Sequence, residues 1–312
     1  MPGIGIITNP FSKQNKKSPA RGRLLGYIVG QFGNLEITNS IDDIGRVAAL
    51  FKEQGIEILA INGGDGTISR TLTAFIRTYG DTTLPQILVL RGGTINMLAD
   101  NLGIFGSPEE ILVRMLECQS GLRPKTIQTF ATLSVGGQYG FLFGNGFVAR
   151  YLAEFYKNKT GAFGSVLLIL KIYLSWIFSK TLYRHIVQDE SYRMALEGKP
   201  APKEVRSLAI MVSTVERMPL RFKLFPLARG NLSKFQMFSL EMPAGSMPLR
   251  LPFAFLRNKT GTFLGKVTRQ ASALVLTATS GRQLYTLDGE LFEAPDGRLA
   301  IEVGPVVQFV VV

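Results

Sequence analysis

The stretch that most limits how this chain folds is "IEILAINGGDGTISR", residues 56–70. A mostly apolar run, of the kind that makes a strand buried on both faces, empties into three glycines, one aspartate and a threonine. Glycine costs conformational entropy and offers no side chain for packing, so a turn this rich in it implies that something approaches the main chain closely. The same order recurs on either side. "GIGIITN" (3–9) reads as a buried strand ending in a polar loop, and "LEIT" (35–38) as a short second strand. "IDDIGRVAALFKEQG" (41–55) sets Ile41, Ile44, Val47, Ala48 and Phe51 at helical spacing, with Gly55 as the stop. Residues 56–62 make a third strand and 68–80 a helix; "PQILVLRGG" (85–93) is a fourth strand that again ends in glycines. The segment 107–121 is a helix with Ser107 as N-cap, Pro108 in its first turn and Gly121 past its end.

Strand–helix alternation of this kind predicts a doubly wound parallel α/β sheet, in which ligands sit beyond the carboxyl ends of the strands. The loops after 3–9, 56–62 and 85–90 all belong to that edge. From about residue 127 the texture changes. "TFATLSVGGQYGFLFGNGF" (129–147) looks like two strands joined at Gly136-Gly137, and a helical stretch covers 148–178. Short strand-like runs follow: "SLAIMVS", "KFQMFSLEM", "SALVLTAT", "QLYTL", "LAIEV" and "VVQFVVV". The expectation is two domains, an α/β unit at 1–127 and a β-rich unit, a sandwich, at 128–312, with the tail allowed a return to the first.

Composition narrows the chemistry. Cys118 and His185 are the single cysteine and histidine, which leaves no internal disulfide, no cysteine-based zinc site and no evident nucleophilic triad. Acid–base work therefore falls to carboxylates. The net charge of +12 is uneven: residues 1–35, 155–188 and 242–287 contain no Asp or Glu. The last two mix Lys and Arg with large apolar residues, a pattern that suits an anionic membrane surface. Nucleic acid is not expected, since no helix-turn-helix, zinc-finger or RNA-recognition signature is present. "FGSVLLILKIYLSWIF" (163–178) is too short to span a bilayer and carries Lys171 in its middle, so it is read as a buried core helix ahead of an interfacial one. The opening "MPGIGIITNP" lacks the features of a signal peptide, so a cytoplasmic location is expected.

Glycines 63, 64 and 66 would turn main-chain N–H groups toward phosphate oxygens, with Thr67 adding a hydroxyl at a helix N-terminus. Asp65 in such a turn makes sense beside a Mg²⁺ ion or a hydroxyl that it orients. Gly92 and Gly93 repeat the device, with Thr94 and Asn96 as polar groups. Far away, "LDGE" holds Asp288 and Glu290; on a strand the two would share a face, whereas the plainer reading is an acidic turn.

Taken together, "INGGDGT", "TNPFS", "GGTINMLA" and "LDGE" resemble the diacylglycerol kinase catalytic-domain family, which includes sphingosine, ceramide and bacterial lipid kinases. The glycine–aspartate motif is also shared with NAD kinases and phosphofructokinases. The resemblance implies a nucleotide domain, a β-sandwich that holds lipid, and ATP with Mg²⁺ in the cleft between them. By position, Asn9, Pro10 and Ser12, with Lys13 next to them, match the first ATP loop, and Thr38 the end of the second strand. Gly63, Gly64, Asp65, Gly66 and Thr67 match the phosphate loop, and Gly93, Thr94 and Asn96 the second contact. Glu290, with Asp288 beside it, matches the proton acceptor. Asp65 and Asp288 would serve Mg²⁺ through water. Lys13 replaces the family's usual glycine, Ser69-Arg70 its Asn-Glu, and Met97 its Asp, which marks a divergent subgroup.

The expected activity is phosphorylation of a diacylglycerol-like or sphingoid lipid at the inner face of the membrane. The partners are the lipid and the anionic surface, and a homodimer is allowed. The stretches 155–184 and 249–270 would face the bilayer. Two rivals stay open: a soluble small-molecule kinase of the NAD-kinase type, and a non-catalytic lipid-binding protein with a relic nucleotide site.

Overall fold

The computed structural model describes residues 3–157, 161–198, 201–219, 223–250 and 266–312. The run 249–270 therefore lies largely outside the described residues. The chain begins with β1 (Ile4–Thr8), α1 (Lys13–Lys17), α2 (Arg21–Val29), β2 (Gly33–Ile37), α3 (Ile41–Glu53), β3 (Ile58–Asn62) and α4 (Asp65–Tyr79). It continues through β4 (Gln86–Val89), α5 (Met97–Leu102) and α6 (Pro108–Gln119). The four strands lie in the order β2-β1-β3-β4, all parallel. β1 and β3 are buried along their whole length, as unbroken apolar runs require when helices cover both faces. α3 packs beside α4, and α2 beside α6.

Local signals account for the helix ends. Ser40 and Ser107 each close a capping box, with Asp43 and Glu110 as the reciprocal partners. α1, α2 and α5 were not anticipated. α1 and α5 are only a turn or so long, too short to show a period, and α2 begins without a side-chain cap.

The remainder comprises β5 (Thr126–Val135), β6 (Gln138–Gly140), β7 (Leu142–Asn145), α7 (Phe147–Lys157), α8 (Gly161–Phe178), α9 (Thr181–Ile186), β8 (Glu190–Leu196), β9 (Lys203–Ser207) and β10 (Ile210–Ser213). Then come β11 (Phe235–Ser239), β12 (Lys266–Ala271), β13 (Ala273–Ala278), β14 (Gln283–Leu287), β15 (Glu290–Ala294) and β16 (Arg298–Val311). A six-stranded antiparallel sheet, β12-β11-β10-β7-β14-β15, faces a second layer that includes β5, β16, β13, β8 and β9. Phe143, Ile210, Met237 and Leu287 from one sheet meet Leu133, Tyr192, Leu276 and Ile301 from the other, which makes the expected sandwich.

β16 joins the halves. Its first part lies between β13 and β5, and Phe309 near its end pairs in parallel with Ile87 of β4. The runs "LAIEV" and "VVQFVVV" are thus one strand; Gly304-Pro305 makes a register shift between Val303 and Val306 rather than a break.

The core-helix reading of 163–178 is overturned. On α8, Leu168, Ile172 and Ser175 form a narrow buried stripe at helical spacing. Val166 (65 % exposed), Leu167, Ile169, Leu170, Leu174, Ile177 and Phe178 (81 %) face solvent. The stripe packs on Tyr183 and Ile186 of α9 and on residues backing β10, a surface that accepts one side of a helix and no more. A sequence apolar all round cannot say which side stays outside.

Candidate functional site

The site forms where the sheet order reverses, beyond the carboxyl ends of β1 and β3. Gly64 is the N-cap of α4, so Asp65, Gly66 and Thr67 make the first helical turn, whose N–H groups have no intrahelical acceptor. A helix start of this kind favours anions. Across from it runs the loop 91–96, with Arg91 and Asn96 both at positive φ (50° and 51°). The two loops touch backbone to backbone: a Cβ on Gly93 would sit 2.4 Å from the Gly64 Cα, so only glycine fits. Asn96 folds back on Gly93, accepting from its N–H at 3.0 Å and donating to its carbonyl at 3.2 Å.

Asp65 spans the two loops. Its carboxylate oxygens accept the N–H groups of Met97 (3.0 Å) and Leu98 (3.1 Å), the first turn of α5. Burial pushes its carboxyl above the usual range, and these two bonds pull part of the way back. The position where the family places Asp is here Met97, and its main chain is what Asp65 uses.

The first loop is set by Asn9. Its side chain donates to Thr67 Oγ1 (2.9 Å) and accepts from Phe11 N–H (2.8 Å), while Asn15 braces its carbonyl (2.8 Å). Ser12 is the N-cap of α1 without making a cap bond, and its buried hydroxyl has no partner among the described residues. Pro10 is partly buried, whereas Lys13 and Thr94 are exposed. Thr38 is buried at the end of β2 and donates its N–H to the Thr8 carbonyl (3.0 Å).

The third piece arrives from the sandwich. β14 and β15 are joined by a two-residue turn, Asp288-Gly289, with φ of 49° and 85°. Because Asp288 is in the left-handed region and not on a strand, the expectation that it shares a face with Glu290 fails. Asp288 turns inward: its carboxylate accepts the N–H groups of Phe141 (3.1 Å) and Leu142 (2.9 Å), and its own N–H bonds the Leu142 carbonyl (2.9 Å). Burial pushes its carboxyl up to about 7; the Phe141 bond opposes this, and repulsion from Asp65 adds to it. Glu290 turns outward over the phosphate loop. A Cβ on Gly66 would lie 2.3 Å from Glu290 Oε1, so the missing side chain at 66 is what admits the carboxylate. Glu290 also forms an ion pair with Arg70, one turn further along α4.

A cleft of about 220 Å³ runs between Asn9, Phe11, Thr38, Asn39, Ser40, Ile41, Ile44, Gly66, Thr67, Arg70 and Glu290. Arg70 and Glu290 are the charged residues in its wall. Arg70, Phe11 and the 39–44 helix start were not singled out as lining; the departure at 69–70 was the available signal for the first. Tyr156 of α7 bonds the Gly289 carbonyl (2.7 Å) and so holds the acidic turn from behind.

Among the described residues no group of three or more His, Cys, Asp or Glu could hold a metal unaided. Asp65 and Asp288 nonetheless stand close enough to repel each other, and a cation bridged by water would relieve that repulsion. The donor set fits Mg²⁺ carried in largely by phosphate oxygens.

Residues 4–126 match the family model described as Diacylglycerol kinase catalytic domain, the family that the motifs resemble. The chain is similar in structure to a diacylglycerol kinase of Bacillus anthracis str. Sterne (TM-score 0.64, 13 % identity, 99 % of this chain and 96 % of that one). It is also similar to two other proteins of that strain, named provisionally as diacylglycerol kinases. One has TM-score 0.69, 15 % identity and coverage of 99 % and 94 %; the other has 0.65, 14 %, 100 % and 98 %. At such identities the likeness concerns the fold. No curated protein matches the chain.

Proposed function

We propose that the protein is an ATP-dependent lipid kinase that works on a membrane surface. The observation that carries the reading is Glu290 poised over Gly66, at the mouth of the helix start that would hold the triphosphate. The main chain of 65–67 would bind phosphate oxygens, with Asn9, Thr38 and Thr94 around the nucleotide. Mg²⁺, held through water by Asp65 and Asp288, would supply charge neutralisation at the phosphates. Glu290 accepts the proton of the lipid hydroxyl as its oxygen forms a bond to the γ-phosphorus; the bond from that phosphorus to the bridging oxygen breaks and ADP leaves. Asp288, buried and bound to two N–H groups, shapes the turn that delivers Glu290.

The membrane half of the reading rests on α8. Seven exposed large apolar side chains share that helix with Lys171, and Lys180 and Arg184 are exposed just beyond it. A soluble surface seldom leaves so many in one place. The acid-free run 155–188 makes an anionic lipid surface the complementary partner. Among the described residues no helix is long and apolar enough to cross a membrane; the contact we propose is peripheral.

Labelled ATP, Mg²⁺ and vesicles of total lipid extract, followed by chromatography, test the activity. A labelled lipid that vanishes with Glu290→Gln supports it; label confined to water-soluble acceptors favours the NAD-kinase-type alternative. Sedimentation with anionic and neutral vesicles tests the surface, and self-association without vesicle binding would instead make α8 a dimer face.

A further inference from the structure

The residue at 70 departs from the family pattern, and its place in the fold gives the departure a use. Arg70 lies four residues after Gly66 on α4, so it rises from the same face as the phosphate-binding turn, one helical turn deeper. Its guanidinium is bound to Glu290 Oε2, and both residues line the 220 Å³ cleft. The two charges in that wall neutralise each other. Without Arg70, a polyanion entering the cleft would meet N–H dipoles and hydroxyls but no full positive charge in its wall.

The pair is built to come apart. Its side chains are 38 % and 32 % exposed, and a water-facing ion pair contributes little to stability. The planar fork of arginine suits phosphate at least as well as carboxylate, and the terminal phosphate of a triphosphate offers it more negative charge than one Glu does. Meanwhile a carboxylate oxygen already gripped by a guanidinium is poorly placed to receive a proton.

The geometry points to Arg70 as an exchange residue: it holds Glu290 until a nucleoside triphosphate enters, then passes to the terminal phosphate and releases the Glu290 carboxylate for the lipid hydroxyl. Nucleotide therefore precedes acceptor, and the site distinguishes triphosphate from diphosphate through one side chain. The inference rests on the kinase reading above but not on the identity of the lipid.

Calorimetry with the β,γ-methylene analogue of ATP and with ADP, both with Mg²⁺, tests it on the full chain. Arg70→Gln should weaken the triphosphate analogue about tenfold or more, an amount in line with loss of one charge-assisted contact, and change ADP less than about twofold. Arg70→Lys should lie between. Glu290→Gln, which frees Arg70, should bind the analogue severalfold more tightly with ADP unchanged, and the double variant should behave as Arg70→Gln. Circular dichroism and melting temperature show that each variant is folded. Equal weakening of both nucleotides by Arg70→Gln, or no gain from Glu290→Gln, overturns the exchange while leaving the kinase reading intact. Failure of the wild-type chain to bind either nucleotide overturns both.

Discussion

The glycine-loop edge and the helix α8 were the two most conspicuous features of the sequence, and they teach opposite lessons. At the loop edge, each special residue is answered by a partner that can be named. Gly66 makes room for Glu290, Asp65 bridges to the start of α5, and Asn96 closes on Gly93. The chemistry is local, so residue types and spacing carry most of it. On α8 every residue type is legible and the arrangement is not: a run apolar on all sides reads alike whether it is wrapped by protein or left facing outward. Only the width of the surface beneath it decides, and that surface is assembled from α9 and β10.

The contrast can be broken at either end. The largest effect is expected from Glu290→Gln, which should cut phosphate transfer by about 10²-fold or more while leaving the melting temperature near wild type, as removal of a positioned general base does; turnover close to normal would take Glu290 out of the chemistry. Next is Gly66→Ala, a single methyl that must push Glu290 aside. A loss of transfer of about tenfold or more without unfolding is expected, in line with misplacement of a reacting group. On the other side of the comparison, Leu170→Glu combined with Ile177→Glu changes two exposed positions. Affinity for anionic vesicles should fall about tenfold or more, the fold being untouched; undiminished vesicle binding would return α8 to the status of an accident of packing.

Asp288 gives a pH-dependent prediction. Burial raises its carboxyl to about 7 from the ordinary 3.8, so between those values the folded chain binds more protons than the unfolded one. Stability from this group is therefore greatest below about pH 4 and falls as pH rises toward 7. Asp288→Asn removes the titration. The melting temperature of the variant relative to wild type should climb across that interval and level off above it; a difference that stays flat from pH 4 to 7 would mean that the side chain is not held out of water. The smallest effect belongs to Ser107→Ala, which opens a capping box on α6 away from the cleft and should cost about 1 kcal/mol of stability with no change in nucleotide affinity.

What could and could not be read in advance follows the same line. The parallel sheet, the sandwich and the loops that meet at the cleft follow from strand–turn–helix order, because hydrophobic period and glycine placement are written in neighbouring residues. Asp288 shows the limit. Its left-handed backbone turns the acid inward, whereas an i, i+2 argument assumes an extended strand; the difference is set by how tightly β14 and β15 are connected. The Arg70–Glu290 pair spans 220 positions, and no local pattern announces such a partner.

β16 has a further consequence for how the molecule is made. Residues 298–311 tie the parallel strands to one layer of the sandwich, yet they emerge from the ribosome after every strand they join. Until then β4 offers an open edge and β5 lacks its main neighbour, so the nascent protein passes through a stage in which a half-finished sheet is exposed to other chains. Slow synthesis just upstream of residue 298 would lengthen that stage and raise the yield of aggregate without altering a single contact in the finished fold.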